Sequence, residues 1–170
     1  MNIYSGELYS GEVKYTLYLI TDRTPYDVDR WKQLKNKGIQ NMTATELAEW
    51  RDGMKGSYNY TDLNRVEEAV KYVAQRLTQK GYSIFLTTKT DWTLGTIPTK
   101  AAMDRYMGNV ARIRSAIPVY PTTPAAPTTA QKLTYKMAND IEQILKDVDS
   151  LIDNMLGGYY FSGDLYAGEI

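Results

Sequence analysis

Three aspartates near the carboxyl end are the most obvious candidates for chemistry, because Asp147, Asp149 and Asp153 fall close together in the sequence. A cluster of carboxylates can bind a hard cation. The surrounding pattern predicts a helix, on which Asp149 and Asp153 lie one turn apart on one face while Asp147 points elsewhere. A solvated helix surface explains them better than a metal site, and we predict no metal and no other cofactor.

The usual catalytic residue types are missing, since the sequence contains no histidine and no cysteine. This removes the common base of hydrolytic triads, the thiol nucleophile and the commonest transition-metal ligand. Glu46 and Glu49 have the spacing of an acid/base pair, but Glu46 is also the third helical residue of a capping box that begins at Thr43. We therefore predict that the chain is not an enzyme. A hydrolase that uses only carboxylates is the least favoured alternative.

The composition excludes further classes of function. Twenty lysines and arginines balance twenty acids, so no basic footprint for nucleic acid is present. No apolar run approaches the ~20 residues that span a bilayer, and no signal peptide is recognised, which predicts a soluble protein made in the cytoplasm. Fifteen tyrosines against two phenylalanines favour half-wet surfaces and interfaces.

Capping residues and glycines predict five helices, and these helices would form the body that positions the candidate residues above. The starts are marked by Thr24, Thr43, Thr61, Thr99 and Thr134. Their expected ends are Gly38, Lys55, Lys80, Ala116 and Leu156, the last before the pair Gly157 and Gly158. Residues 83–88 form a possible short strand. Prolines at every third position predict a stiff polyproline II connector over 117–128.

The three tryptophans receive different interpretations. Trp31 and Trp50 lie on the apolar stripes of predicted helices, which favours a place in the core. Trp92 follows Asp91 in a predicted loop, and it is the only tryptophan that we predict as a ligand contact.

The two ends of the chain carry similar decads, identical at six of ten positions. Residues 4–13 and 161–170 each hold two copies of a pentad in which an aromatic residue precedes a small residue, a glycine, an acid and an aliphatic residue. On a strand, the aromatic, glycine and aliphatic residues of a pentad share one face. We therefore predict that the termini pair in a small sheet, within one chain or between subunits, through the interface residues Tyr4, Gly6, Leu8, Tyr9, Gly11, Val13, Phe161, Gly163, Leu165, Tyr166, Gly168 and Ile170. Tight Ser-Gly turns are the alternative.

Several central stretches resemble a known module. They are ITDRT at 20–24, DVDR at 27–30, NMTATELAEW at 41–50, GMKGSYNYTDLNRVE at 53–67 and TDWT at 90–93. Together they are similar to a helical module of tail and baseplate proteins of phages, prophages and phage-like particles of Gram-positive gut bacteria. The resemblance covers roughly residues 20–155. It implies a virion component made in the cytoplasm of a host bacterium, and it carries no catalytic motif.

The expected fold is mainly α, a bundle-like body of about five helices with a small β-sheet formed by the N- and C-terminal repeated segments. A single domain would span 1–170, with a strand segment at 1–21, a helical body at 22–156 that includes the Pro-rich connector 117–128, and a second strand segment at 157–170.

The expected function is structural. The chain would be an assembly protein of a phage tail, baseplate or related particle, and its partners would be itself, as a homo-oligomer, and other virion proteins. Contact would be made through the repeated terminal strands and the turn region 59–64. The alternative is a glycan or host-surface binding module of a tail fibre that uses Trp92. We predict neither nucleic-acid binding nor membrane insertion.

Overall fold

A computed structural model describes residues 6–9, 12–129 and 133–162. The regular elements in these ranges are two short strands, five α-helices and one 3-10 turn at Ile39–Asn41. They are β1 (Gly6–Tyr9), β2 (Glu12–Tyr15), α1 (Pro25–Lys37), α2 (Ala44–Asp52), α3 (Tyr60–Gln79), α4 (Lys100–Ala116) and α5 (Tyr135–Ser162). The predicted mainly α fold is therefore confirmed.

Helices α1 and α2 form because strong local signals mark both of their ends. Thr24 and Thr43 each cap a helix through a complete capping box. Gly38 and Gly53 end these helices with φ angles of 77° and 91°, a region that favours glycine. Leu34 of α1 is fully buried, which attaches this helix to the rest of the body.

Helices α3, α4 and α5 pack against one another and enclose the main core. Apolar residues recur on each of them at helical spacing, and the buried members include Val66, Val73, Val110, Ile144 and Val148. Burial of such side chains is the dominant stabilising contribution to a helical body. None of the helices in the described ranges combines the length and the apolar character that a membrane span requires.

The predicted sheet between the two termini is wrong. β1 pairs antiparallel with β2, with Gly6 opposite Tyr15 and Tyr9 opposite Glu12, so the described strands of the N-terminal repeat pair with each other. At the other end, α5 continues to Ser162 where the sequence predicts a strand segment from 157 onward. A glycine pair ends a helix only where its backbone leaves helical geometry. Inside a helix each glycine lowers the stability of the helix by about 1 kcal/mol, and continued hydrogen bonding can offset this loss. Residues 163–170 lie outside the described residues.

The segment between α3 and α4 is extended but does not form the predicted strand. Tyr82, Ile84 and Leu86 pack against the core, whereas Phe85 is 86 % exposed. The carbonyl of Thr87 accepts hydrogen bonds from side chains of α4. Side chains of the bundle therefore take the place of a neighbouring strand.

The Pro-rich connector is not a continuous polyproline II rod. A turn closes between Tyr120 and Thr123, where the backbone N–H of Thr123 donates to the carbonyl of Tyr120 at 3.0 Å. Thr123 is buried and donates to Asp147 of α5 at 2.6 Å. The connector is thus attached to the bundle rather than spaced away from it.

Candidate functional site

A groove of about 900 Å³ lies between the α1–α2 pair and the amino-terminal ends of α3 and α5. This volume falls in the range of ligand-binding clefts. Five aromatic residues line it, and we call it the aromatic groove: Trp31, Trp50, Tyr58, Tyr60 and Tyr135.

One face of α1 forms a wall of the aromatic groove. Val28, Trp31, Lys32 and Lys35 line it, and their spacing of three and four residues places them on the same side of the helix. Trp31 is half-buried and Lys35 is exposed. The wall is therefore accessible to a ligand and carries both an indole ring and positive charge.

The turn after α2 approaches α1 closely at Gly56. A Cβ added to Gly56 would lie 1.9 Å from the carbonyl oxygen of Asp27. No side chain fits at that distance, so only glycine permits this approach. The contact fixes the loop that carries Tyr58 against the start of α1.

Positive charge predominates among the residues that line the aromatic groove, with four cationic side chains and the carboxylate of Asp29. Lys32 donates to Asp29 at 3.3 Å, and Lys55 pairs at 2.6 Å with an aspartate outside the lining. Lys35 lies 4.8 Å from the centroid of the Trp31 ring and makes no ion pair within the described residues. The groove therefore favours acidic ligands with apolar or aromatic parts.

Arg23 is the most buried charge of the groove lining, with 4 % exposure. Its Nη1 donates to the carbonyl of Ile20 at 2.7 Å, and its Nη2 contacts Asp62 at 3.2 Å and Glu142 at 2.8 Å. Its Nε has no hydrogen-bond partner among the described residues. An unsatisfied buried donor is costly, and because this atom has almost no exposed surface, a ligand in the groove does not reach it.

A buried charge cluster of Arg23, Arg65, Asp62 and Glu142 holds this side of the bundle together. Glu142 is fully buried, and its Oε1 accepts from the Nη2 atoms of both arginines at 2.8 Å. Its Oε2 accepts from the backbone N–H of Ile20 at 2.5 Å. Because Glu142 lies on α5 and Asp62 on α3, the cluster fixes Arg23 relative to both helices.

Tyr58 connects the groove to the core. Its hydroxyl shares a hydrogen bond with the hydroxyl of Tyr106 on α4. Burial, followed by the charge of Glu142, raises the pKa of Tyr58 above its ordinary value, and burial also raises the pKa of Tyr106. Both phenols are therefore neutral at physiological pH, and neither is an activated nucleophile.

Glu46 and Glu49, which have the spacing of an acid/base pair, are both held by cations. Hydrogen bonds from Lys37 and from the backbone of Thr43 lower the pKa of Glu46 to about 2. The guanidinium of Arg30 lowers the pKa of Glu49. A general acid needs a pKa near the working pH, and neither carboxylate meets this condition.

The aspartates near the carboxyl end have partners within the protein. Asp149 and Asp153 both pair with Arg76 of α3, and the Asp153 contact measures 2.5 Å. Asp147 accepts from Thr123. Across the described residues, no set of three or more acids is arranged to hold a metal ion.

The structure reverses the predicted roles of the tryptophans. Trp92 is 3 % exposed and packs in the core, where Asn64 accepts from its backbone N–H at 2.8 Å. A ring in that position offers no face to a ligand from solvent, so the predicted glycan contact at Trp92 does not fit. Trp31 and Trp50, which the sequence assigns to the core, are half-buried and line the aromatic groove.

The predicted interface residues of the terminal repeats are mostly outside the described part of the chain. Gly6, Leu8, Tyr9 and Val13 belong to β1 and β2, and Phe161 belongs to α5. The others lie outside the described residues: Tyr4, Gly11, Gly163, Leu165, Tyr166, Gly168 and Ile170. In the predicted contact region 59–64, Asn59 caps α3 and Asn64 holds Trp92, which are internal roles.

Sequence interpretation missed the four groove residues Arg23, Trp31, Lys35 and Trp50. A usable signal was present at α1, because Trp31 and Lys35 are four residues apart and share a face. A lysine beside a tryptophan on an apolar stripe indicates a face that is partly in water.

Comparison with known proteins does not assign a function to this groove. No protein-family model, no curated protein and no solved structure matches the chain. The aromatic groove is therefore the feature of the described residues from which a function can be inferred.

Proposed function

We propose that this chain is a structural or assembly protein of a phage tail, baseplate or related particle, and that it docks a segment of a partner virion protein in the aromatic groove. The groove carries this proposal, because it combines accessible indole rings with the exposed ammonium of Lys35, which makes no ion pair within the described residues. The resemblance of residues 20–155 to a tail and baseplate module supports the proposal that the particle is a phage tail, a baseplate or a related assembly. The protein would be made in the bacterial cytoplasm and become part of the virion.

The lining of the groove favours binding over catalysis. Hydrolysis by carboxylates alone requires two acids that face each other across the substrate. Asp29 is the only acid among the described residues of the lining, and Lys32 already pairs with it. Ser57 donates its hydroxyl hydrogen to the carbonyl of Met54, and no base contacts it among the described residues. We therefore propose a role without catalysis.

Glycan binding is the second candidate, favoured by the half-buried rings of Trp31 and Trp50. Sugars stack on such rings, and a tail-fibre module would use them to contact a host surface. The ammonium of Lys35 argues for an acidic occupant and therefore favours a protein segment or an acidic glycan over a neutral one.

The test is incorporation into particles in the bacterium that encodes the chain. Particles are purified by density gradient, and the chain is quantified by mass spectrometry against the major tail protein. We expect a constant ratio for the natural protein and at least a tenfold lower ratio for the double variant Trp31→Ala with Trp50→Ala. Tyr26→Ala is the matched control, because Tyr26 is an exposed aromatic residue of α1 outside the groove lining.

Two results would contradict the proposal. Absence of the natural chain from purified particles would exclude a virion role. If the double variant enters particles normally but the particles no longer adsorb to host cells, the groove serves host-surface recognition instead. Circular dichroism of the purified variants shows whether any loss comes from unfolding.

A further inference from the structure

We propose that the aromatic groove of one copy binds residues 163–170 of a second copy. This inference rests on the proposed assembly function and names the partner of its groove. It joins a described surface to a sequence segment of matching chemistry, and it does not require the two terminal repeats to pair in a sheet.

The chemistry of residues 163–170 complements the aromatic groove. The segment contains the acids Asp164 and Glu169, the aromatic residue Tyr166 and two aliphatic residues, with no lysine or arginine. Lys35 is the groove cation without an ion pair within the described residues, and it lies beside accessible aromatic rings. Opposite charges on two surfaces steer their association and fix its orientation.

One groove cation is available to such a segment. Lys35 makes a cation–π contact with Trp31 and no ion pair within the described residues. An acidic side chain of the segment would pair with this ammonium, which a neutral apolar segment would not do.

The occupant comes from a second copy because the chain's own segment cannot reach. The groove is lined by residues at the start of α5, up to Ala138, whereas the segment follows Ser162 at its far end. These two residues are about 36 Å apart along the helix axis at 1.5 Å per residue. Eight fully extended residues span at most about 28 Å.

The direction of α3 supports this separation. Arg65 near the start of α3 contacts Glu142 early in α5, and Arg76 near its end contacts Asp153 late in α5. The two helices are therefore parallel. The groove lies at their amino-terminal ends, and residues 163–170 follow from the opposite end.

The C-terminal repeat is preferred over the N-terminal one for a structural reason. The backbone of 6–9 and 12–15 is already paired within the β1–β2 hairpin. An extended segment that enters a groove needs free main-chain and side-chain groups along its length. A groove and a segment at opposite ends make a head-to-tail contact, which closes into a ring or continues as an open array.

Complementation between two full-length variants tests the inference. One variant has an altered groove, Trp31→Ala with Lys35→Glu, and the other has an altered segment, Asp164→Asn with Glu169→Gln. Each retains the site that the other lacks. Light scattering over a concentration series measures the mass of each variant and of their equimolar mixture.

We expect the natural chain to associate, and each variant alone to associate at least about tenfold more weakly, because each lacks the charged groups of one side of the contact. The mixture should form one-to-one dimers that do not grow further. Lys80→Glu is the control, since this exposed lysine lies at the far end of α3 and should leave the mass of the natural chain unchanged.

A natural chain that is monomeric at all concentrations, or a mixture that stays monomeric, would overturn the inference. That failure is separate from failure of the proposed function. If the groove variant is also absent from particles, the groove binds a different virion protein and the assembly role stands. Should the groove variant enter particles normally, docking in the groove fails in both proposals, and the chain is a virion component that assembles through another surface.

Discussion

Replacement of Glu142 by glutamine should be among the most destabilising isosteric changes in the protein. The carboxylate is fully buried and accepts hydrogen bonds from Arg23, Arg65 and the backbone N–H of Ile20. Glutamine keeps the shape of the side chain but has one acceptor oxygen and a donating amide nitrogen. At one of the two positions where the carboxylate accepts hydrogen bonds, the amide N–H groups of glutamine would therefore face another N–H donor.

The magnitude follows from the charges left behind. In the natural protein two guanidiniums face two carboxylates, whereas in the variant they face Asp62 alone. Breaking a buried ion pair by removing one partner costs about 3–5 kcal/mol. Because domains are typically stable by about 5–15 kcal/mol, this loss is a large fraction of the total free energy of unfolding.

Urea unfolding followed by tryptophan fluorescence measures this cost. With a slope of about 2 kcal/mol per molar urea, the midpoint should fall by about 2 M while the slope stays unchanged. Asp104→Asn is the matched control, since Asp104 forms an exposed ion pair with Lys100 on α4. Its expected cost is below about 1 kcal/mol, and it should disappear at high salt.

A loss below about 1 kcal/mol for Glu142→Gln would refute the reasoning. It would mean that the two guanidiniums keep adequate partners without this carboxylate. The same conclusion would follow if high salt removed the effect, because salt screens exposed pairs far more than buried ones.

Two further predictions concern local contacts. Hydrogen bonds from Lys37 and from the backbone of Thr43 lower the pKa of Glu46 from 4.5 to about 2, so the stabilisation that these contacts supply is present above pH 4.5 and is lost as the pH falls towards 2. The melting temperature of Glu46→Gln should therefore depend less on pH across that window than that of the natural protein. Gly56→Ala should lower the melting temperature, at a cost of about 1–3 kcal/mol, because its Cβ would overlap the backbone of α1. Gly108→Ala should raise it, by up to about 1 kcal/mol, since nothing lies within 4 Å of the added Cβ.

The helices were predictable because their starts depend on neighbours in the sequence. Thr24, Thr43 and Thr99 cap α1, α2 and α4 as predicted, and each accepts a hydrogen bond from a backbone N–H three residues ahead. The start of α3 was misplaced by two residues. Asn59 caps it and accepts from the backbone N–H of Thr61, the residue predicted as the cap.

The end of α5 was not predictable from glycine alone. Gly38 and Gly81 have φ angles of 77° and 87° where their helices end. Gly157 and Gly158 lie inside α5 instead. The sequence shows that a glycine can leave helical geometry, but tertiary contacts decide whether it does.

The location of the groove could not be predicted because periodicity shows which face of a helix is apolar and not what covers that face. Trp31 and Trp50 lie on such faces, yet the α1–α2 pair is at the edge of the bundle and leaves them half in water. Trp92 lies in an irregular segment that reaches the core through hydrogen bonds with Asn64, far away in sequence. Only the tertiary arrangement reveals either position.

Arg23 belongs both to the buried charge cluster and to the lining of the aromatic groove. Its guanidinium is held by Glu142 and Asp62, and the same side chain lines the groove with an Nε that the described residues leave unsatisfied. A ligand that binds in the groove therefore does not have to order this guanidinium, because folding has already fixed it. It follows that Glu142→Gln, although distant from any ligand, should weaken binding in the groove even at temperatures where the variant remains folded.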